Sequence, residues 1–325
     1  MTDATERPTG ESPTPTVGTE RAAEIAHAVV ENVQAVIVGN REPIEGLVTG
    51  LLGGGHVLLE DVPGVGKTML ARALAASFDC SFKRIQFTPD LLPADVTGSS
   101  VYDRTAEAFE FRRGPIFANV VLGDEINRAP PKTQAAMLEA MAESQVSVDG
   151  RTHSMPDPFV VIATQNSIER ERTYELPAAE LDRFMVKLQL GYPDADEEST
   201  VIERAIGDHA IETVTPVASV ADLRAARTAT DDVEVREPIR AYVTRIARYT
   251  RERAELGVSP RGSIALVRAA QGRAILDARP YVVPDDVQAA APDVLPHRIR
   301  TDPGDTDAER LVSAALESVP VEPEP

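Results

Sequence analysis

His56-Val-Leu-Leu-Glu-Asp61-Val-Pro-Gly64-Val-Gly66-Lys67-Thr68 is the stretch on which the reading of this chain turns. It opens on a short apolar run, His56 to Glu60, the pattern of a buried strand. A helical pattern follows from Lys67 to about Phe78. In a strand-to-helix turn of this kind, successive backbone N–H groups point inward and can bind phosphate oxygens. Gly64 and Gly66 permit the backbone angles and a close approach, and the start of the helix adds partial positive charge. Lys67 can neutralise terminal phosphates, and Thr68 can place its hydroxyl on Mg²⁺. Pro63, Val65 and Met69 belong to the same phosphate-contacting segment. The pattern is G-x-x-x-x-G-K-[ST], the Walker A loop, with one departure. Asp61 stands where the general pattern has Gly. Asp tolerates left-handed backbone angles better than most residues, so the turn is expected to survive.

Downstream, Asn119-Val-Val-Leu-Gly-Asp124-Glu125 is an apolar strand ending in two carboxylates. This strand is expected beside the P-loop strand, with Asp124 holding Mg²⁺ through water and Glu125 orienting the attacking water. Further strands are expected at Phe82–Phe87, Phe159–Thr164 and Met185–Leu190, and a helix at Pro131–Glu143. Short apolar strands alternating with helices argue for a parallel sheet covered on both faces. Two hairpins interrupt it. Val101–Asp103 and Phe109–Phe111 flank one turn; Gln145–Val148 and Arg151–Met155 flank Asp149-Gly150, a type I′ signal. Upstream, Ile25, Val29 and Val33 recur at helical spacing, and a second helix is expected over Glu42–Leu52, closed by Gly53–Gly55. After Tyr192-Pro193 the chain turns Ala-, Arg- and Glu-rich with helical spacing. The expected organisation is a tail over 1–19, an α/β core over 20–193, a smaller helical domain over 194–318 and a tail over 319–325. Both tails are too poor in apolar side chains to offset the entropy of ordering.

Composition narrows the function classes. The chain has 325 residues, 42% of them hydrophobic, enough for a core. It carries 33 basic and 52 acidic residues, a formal charge of −19, and lysine only at Lys67, Lys83, Lys132 and Lys187. Such a surface repels nucleic-acid phosphates at long range, and no Lys/Arg run offers a local exception. The single cysteine, Cys80, excludes an intrachain disulfide and reads as a small buried hydrophobe. No apolar run is long enough for a membrane span, and no basic-then-apolar secretory signal opens the chain. A cytoplasmic setting is the default expectation.

The segment Asp124-Glu-Ile-Asn-Arg128-Ala-Pro-Pro-Lys-Thr-Gln134 closely resembles the Walker B region of MoxR-type AAA+ ATPases. Arg84 to Gly98, Val161-Ile-Ala-Thr-Gln-Asn166 and Leu181-Asp-Arg183-Phe are similar to further blocks of that family, and the resemblance spans roughly residues 36–302. It implies a P-loop NTPase fold with an AAA+ core, a parallel sheet with β-hairpin inserts, and a smaller all-α lid. It implies ATP and Mg²⁺ as ligands and ATP hydrolysis as the activity. Asn166 resembles sensor 1, whose polar side chain bonds the γ-phosphate and the lytic water. Arg183 resembles the arginine finger, which reaches a neighbour's γ-phosphate; Arg128 is a second candidate for that role. Ser259-Pro-Arg261 resembles the sensor 2 entry to the lid, with Ser259 as N-cap, Pro260 in the first turn and Arg261 facing the nucleotide once the lid folds over it. Val38-Gly39 resembles the loop that contacts adenine. Gln86 ends the second strand and is a candidate to couple ligand binding to Glu125. The Gln145–Met155 hairpin resembles the insertion before sensor 1 in related clades, and the segment around Asp90–Phe111 their helix-2 insertion. In ring ATPases such inserts can face the central pore, the alternative being edge decoration.

The function so implied is an ATP-hydrolysing, chaperone-like remodeller. It is expected to be a homo-oligomer, in a hexameric ring, with von Willebrand factor A-domain partners and a role in maturing other proteins or aiding cofactor or metal insertion. Two alternatives remain. A nucleic-acid motor of a related AAA+ clade is disfavoured by the charge. A nucleotide-gated scaffold that barely turns ATP over is disfavoured by the presence of both Glu125 and Arg183.

Overall fold

The computed structural model describes residues 17–166, 173–206, 214–302 and 306–322. Residues 1–16 and 323–325 of the expected tails lie outside these. At the inner edges of those tails Val17, Val319 and Val321 pack against the core, so packed chain reaches past the expected limits at 19 and 319.

Five strands build one sheet: β1 (His56–Asp61), β2 (Phe82–Gln86), β5 (Val120–Asp124), β8 (Val160–Asn166) and β9 (Phe184–Leu188). The order is β2-β5-β8-β1-β9 and every pairing is parallel. One expectation is corrected here. The strand carrying Asp124 does not lie beside the P-loop strand; β8 runs between them and pairs with both. The crossovers leave a slot between β1 and β5, and the apolar run Val160–Ala163 fills it.

The strands alternate in the way a two-sided sheet requires. Val57, Leu59, Val120, Leu122, Val160 and Ile162 enter one apolar cluster. Leu58, Val121, Val161 and Ala163 enter the other. The first cluster is closed by α1 (Thr19–Gln34), α2 (Arg41–Leu52), α3 (Lys67–Ser77) and the helical part of the chain. The second is closed by α5 (Pro131–Glu143) together with Val96 of the short α4 (Pro93–Thr97).

Both hairpins form. They are β3 (Gly98–Asp103) with β4 (Ala108–Arg113), and β6 (Gln145–Val148) with β7 (Arg151–Ser154). Asp149 and Gly150 have φ of 51° and 75°, both positive as a type I′ turn demands. The hairpins meet where Phe111 stacks on His153, with ring centroids 3.9 Å apart.

The short α6 (Ala178–Leu181) precedes β9, and from α7 (Ala195–Ile206) onward the described chain is helical: α8 (Val220–Asp231), α9 (Glu237–Arg251), α10 (Pro260–Leu276), α11 (Pro284–Val294) and α12 (Ala308–Ser318). α10 packs against α2 and β9 rather than over the P-loop. The approach is close: a Cβ on Gly272 of α10 would stand 2.8 Å from the Thr49 carbonyl oxygen of α2. α1 touches α8 and α10 as well as α2 and α3, so it joins the two layers.

Candidate active site

The carboxyl ends of β1, β8 and β5 open into a cleft of about 440 Å³. Pro63, Gly64, Gly66, Lys67, Thr68 and Met69 line it from the P-loop side. Asp124 and Glu125 line it from β5, and Thr164, Gln165 and Asn166 from β8. Segments 39 or more residues apart in sequence thus meet around one space. Asn166 pairs with Asp61 in the sheet, which sets it beside the loop.

Gly64 and Gly66 take φ of 91° and 93°, a region open at low cost only to glycine. Lys67 curls back, its Nζ donating to the carbonyl oxygens of Asp61 and Val62 at 2.9 Å each. Burial holds its ammonium below the usual lysine range, and Asp61, Asp124 and Glu125 oppose that shift.

The departure at Asp61 has a different basis from the one expected. Asp61 is the last residue of β1 and is not among the positive-φ residues, so left-handed tolerance is not its role. Its carboxylate is buried and accepts three backbone N–H groups: Val62 at 2.7 Å, Leu190 at 2.6 Å and Gly191 at 2.7 Å. It ties the entrance of the P-loop to the exit of β9.

The acid pair is held by a polar web. Asp124 accepts Arg84 Nε at 3.0 Å and Nη2 at 2.5 Å on one oxygen, and Thr164 Oγ1 at 2.6 Å on the other. Glu125 has φ of 56°, unusual outside glycine, and its N–H donates to Thr164 Oγ1 at 2.9 Å. Its carboxylate accepts Gln86 Nε2 at 2.9 Å and Arg128 Nη1 at 2.8 Å. One hydroxyl, Thr164, therefore braces both acids.

The cleft fits a magnesium nucleotide. The glycine cradle offers open backbone, with no neighbouring atom within 4 Å of where a Cβ on Gly64 would stand. Thr68 and Asp124 present a hydroxyl and a carboxylate to the same space, oxygen donors of the kind Mg²⁺ takes alongside substrate phosphates. Among the described residues no cluster of three or more His, Cys, Asp or Glu offers a denser metal cage.

Other predicted residues lie outside the cleft lining. Val65 faces the core beside the loop. Val38 and Gly39 do not line the cleft, although the preceding Ile37 comes within 3.9 Å of the position of a Gly66 Cβ. Gly39 has φ of 68°, and the Glu197 carboxylate of α7 packs where a Cβ would stand. Arg128 serves Glu125 of its own chain.

Arg183 and Arg261 stand apart from the nucleotide cleft of their own chain, as a residue reaching a neighbour must, while Arg261, against expectation, does not face that nucleotide. They line a second cleft of about 230 Å³ with Gly54, Gly55, His56 and Met185. These residues mark the amino ends of β1 and β9, the sheet edge opposite the P-loop. Six residues of β1 separate the two edges, on the order of 17 Å at about 3.3 Å per residue. Ser259 does cap α10, accepting the Gly262 N–H at 3.1 Å. The helix it starts, however, carries Arg261 away from the nucleotide cleft of its own chain, because α10 is packed on α2 and β9.

Arg72, Thr164 and Gln165 also line the nucleotide cleft and were not singled out from sequence. Arg72 had a signal, standing four residues after Thr68 on the same helix face. Thr164 had none until the β5–β8 register was known.

A parallel sheet with a Gly-rich loop after β1 and an acid pair after β5 defines a P-loop ATPase of the AAA+ class. Residues 56–186 match the ATPase family associated with various cellular activities, and residues 246–316 match the AAA lid domain. The chain is 50% identical over 298 residues to the uncharacterized protein YeaC of Bacillus subtilis, covering 90% of this chain and 93% of that one. It is 41% identical over 304 residues to chaperone MoxR1 of Mycobacterium tuberculosis, covering 88% and 79%. It is 33% identical over 297 residues to protein MoxR of Methylorubrum extorquens, covering 83% and 86%. A solved structure from Cytophaga hutchinsonii, described as a candidate ATPase, superposes with a TM-score of 0.85 at 35% identity over 93% of this chain and 97% of its own. The chain belongs to the MoxR family of AAA+ ATPases, and it hydrolyses ATP to ADP and phosphate.

Proposed function

We propose that this ATPase uses ATP–Mg²⁺ to remodel, assemble or mature partner proteins, including by aiding cofactor or metal insertion, as a homo-oligomeric ring. The P-loop amides and Lys67 would hold the phosphates. Thr68 and Asp124 would hold the magnesium, which supplies charge neutralisation at the phosphates when bound. Glu125 would orient the lytic water, and Asn166 would read the γ-phosphate. Lys67 would leave its carbonyl partners for phosphate oxygens, and Asp124 would exchange Arg84 for the magnesium shell.

The observation that carries the ring is the separation of Arg183 and Arg261 from their own nucleotide cleft. At the far edge of the sheet these cations lie away from their own chain's nucleotide, and any nucleotide they serve is held by another copy. There they would offset charge developing in the transition state. A hexamer is the expected closure. The names MoxR and chaperone MoxR1 among the relatives support the chaperone-like reading. Von Willebrand factor A-domain partners and a cytoplasmic location belong to the same proposal. Among the described residues no helix is long and apolar enough to cross a membrane. The −19 charge weighs against a nucleic-acid substrate.

Single-turnover hydrolysis by Glu125→Gln tests the site. At least a tenfold loss with ATP binding retained is expected; equal rates would remove Glu125 from the role. The same trapped variant, loaded with ATP, provides the bait for partner capture.

A further inference from the structure

Asp182 occupies an unusual position between the two halves of the molecule. It directly precedes Arg183 and is not part of the nucleotide cleft. One carboxylate oxygen accepts Arg298 Nε at 2.9 Å; the other accepts the Ser259 hydroxyl at 2.9 Å. Arg298 is a cation with only 2% of its side chain exposed. It also donates to the Phe184 carbonyl at 2.6 Å and the Met185 carbonyl at 3.2 Å, both at the start of β9, and to the Val294 carbonyl at the end of α11. Ser259 is the N-cap of α10 and stands two residues before Arg261. The first turn of α10 rests directly on Arg298: a Cβ on Gly262 would come within 2.8 Å of its Cδ.

We infer that Asp182 is a positioning residue that holds Arg183 and Arg261 at a fixed spacing on the inter-subunit face and ties both to the helical domain. The inference rests on the proposed reading that these arginines serve a neighbour's nucleotide. The geometry carries it. Arg183 is bound to Asp182 by the chain, and Arg261 by the Ser259 hydroxyl and the first turn of α10. The third connection, through Arg298, fixes the carboxylate against the β9 backbone. A shift of the helical domain therefore moves Ser259 and Arg298 together, and the arginine pair with them. Such a linkage lets the domain movement of one subunit alter hydrolysis in the next. The carboxylate has a second duty in the resting chain. Burial lowers the Arg298 guanidinium to about 10, and Asp182 is the charge that counters this.

The test uses subunit mixing. Asp182→Asn, Ser259→Gly and Arg183→Ala are each prepared in the full chain and assayed for ATPase activity alone and mixed with Glu125→Gln. Glu125→Gln subunits are expected to hydrolyse at least tenfold more slowly and retain intact arginines. Each of the three variants retains an intact nucleotide cleft. Asp182→Asn and Arg183→Ala are expected to lose at least tenfold in kcat and Ser259→Gly several-fold, with binding of a fluorescent ADP analogue within twofold of the parent. Mixing with Glu125→Gln should raise activity several-fold above the sum of the parts in all three cases. If Arg183→Ala is restored while Asp182→Asn and Ser259→Gly are not, Asp182 has no positioning role. If Arg183→Ala itself is not restored, the inter-subunit reading fails first and takes this inference with it. Should Asp182→Asn prove unfolded by thermal melting, Ser259→Gly decides alone, because glycine is nearly as good an N-cap as serine and leaves the Asp182–Arg298 pair in place.

Discussion

Asp61→Gly would restore the general phosphate-loop pattern, and a reading from the motif alone expects it to be neutral or favourable. The structure predicts a substantial loss. The substitution leaves three backbone N–H groups without their acceptor, at Val62, Leu190 and Gly191. Leu190 is buried, so its orphaned donor costs about 2 kcal/mol, and the other two, half-buried and open to partial rescue by water, about 0.5 to 1 each. Glycine at the end of a strand adds roughly 0.5 kcal/mol in backbone entropy. The total is about 4 kcal/mol. For a cooperative unit of 325 residues that corresponds to a fall in Tm of about 6 °C. Urea unfolding and thermal melting measure it directly. Asp61→Asn should fall between, since its one acceptor oxygen can still serve Leu190 and Gly191 but its amide then confronts the Val62 N–H. ATP affinity should drop in the same order, because Lys67 also rests on the Asp61 carbonyl. An Asp61→Gly chain that is folded, melts within about 2 °C of the parent and binds ATP equally well would refute the staple.

Two further outcomes follow from the same geometry. Thr164→Val keeps the shape of the side chain but removes the hydroxyl that braces Asp124 and Glu125; it should lower kcat at least tenfold while nucleotide affinity holds, and an unchanged kcat would show that the brace is dispensable. Asp293 has its carboxyl raised to about 6, first by burial and then by Glu42, against the opposing pull of Arg273. The folded chain therefore holds that proton more tightly than the unfolded one, whose carboxyl titrates near 3.8. The contribution is intact below about pH 4 and is lost as pH rises through about 6, up to roughly 3 kcal/mol. Asp293→Asn should accordingly gain stability relative to the parent between pH 4 and pH 7.5, read by urea unfolding at several pH values; a pH-independent difference would contradict the burial argument.

Local rules made the nucleotide side readable in advance. Gly64, Gly66, Lys67 and Thr68 act through their own backbone and neighbouring side chains, so spacing along the chain was enough to assemble them. The acid pair was legible only together with that loop, because an apolar strand ending in two carboxylates is as readily a solvated strand end. What could not be read was everything that depends on which strands are neighbours. The slot filled by β8 belongs to this class, and Thr164 with it. So does Asp61, whose partners Leu190 and Gly191 lie about 130 residues away and meet it only because β9 pairs with β1. The position of Arg261 fell in the same gap. Its N-cap and helix were legible, but the face on which α10 packs depends on tertiary contacts such as Gly272 against Thr49.

The two clefts also constrain how copies can meet. On the proposed reading, the nucleotide cleft at the carboxyl edge of the sheet takes cations from the amino edge of another chain. Those are different surfaces, so the contact is heterologous. An isologous dimer would set like against like, placing one P-loop face on another and leaving both pairs of arginines unused. A heterologous contact repeats until it closes, giving a ring, or fails to close and gives a helical filament. In either form, every internal subunit both completes a neighbour's site and has its own completed. Dilution below the assembly threshold must then abolish hydrolysis without abolishing nucleotide binding, since the amides around Lys67 lie entirely within one chain. Hydrolysis per subunit that stays constant from fully assembled to fully monomeric concentrations would refute the reading in which Arg183 serves a neighbour's nucleotide.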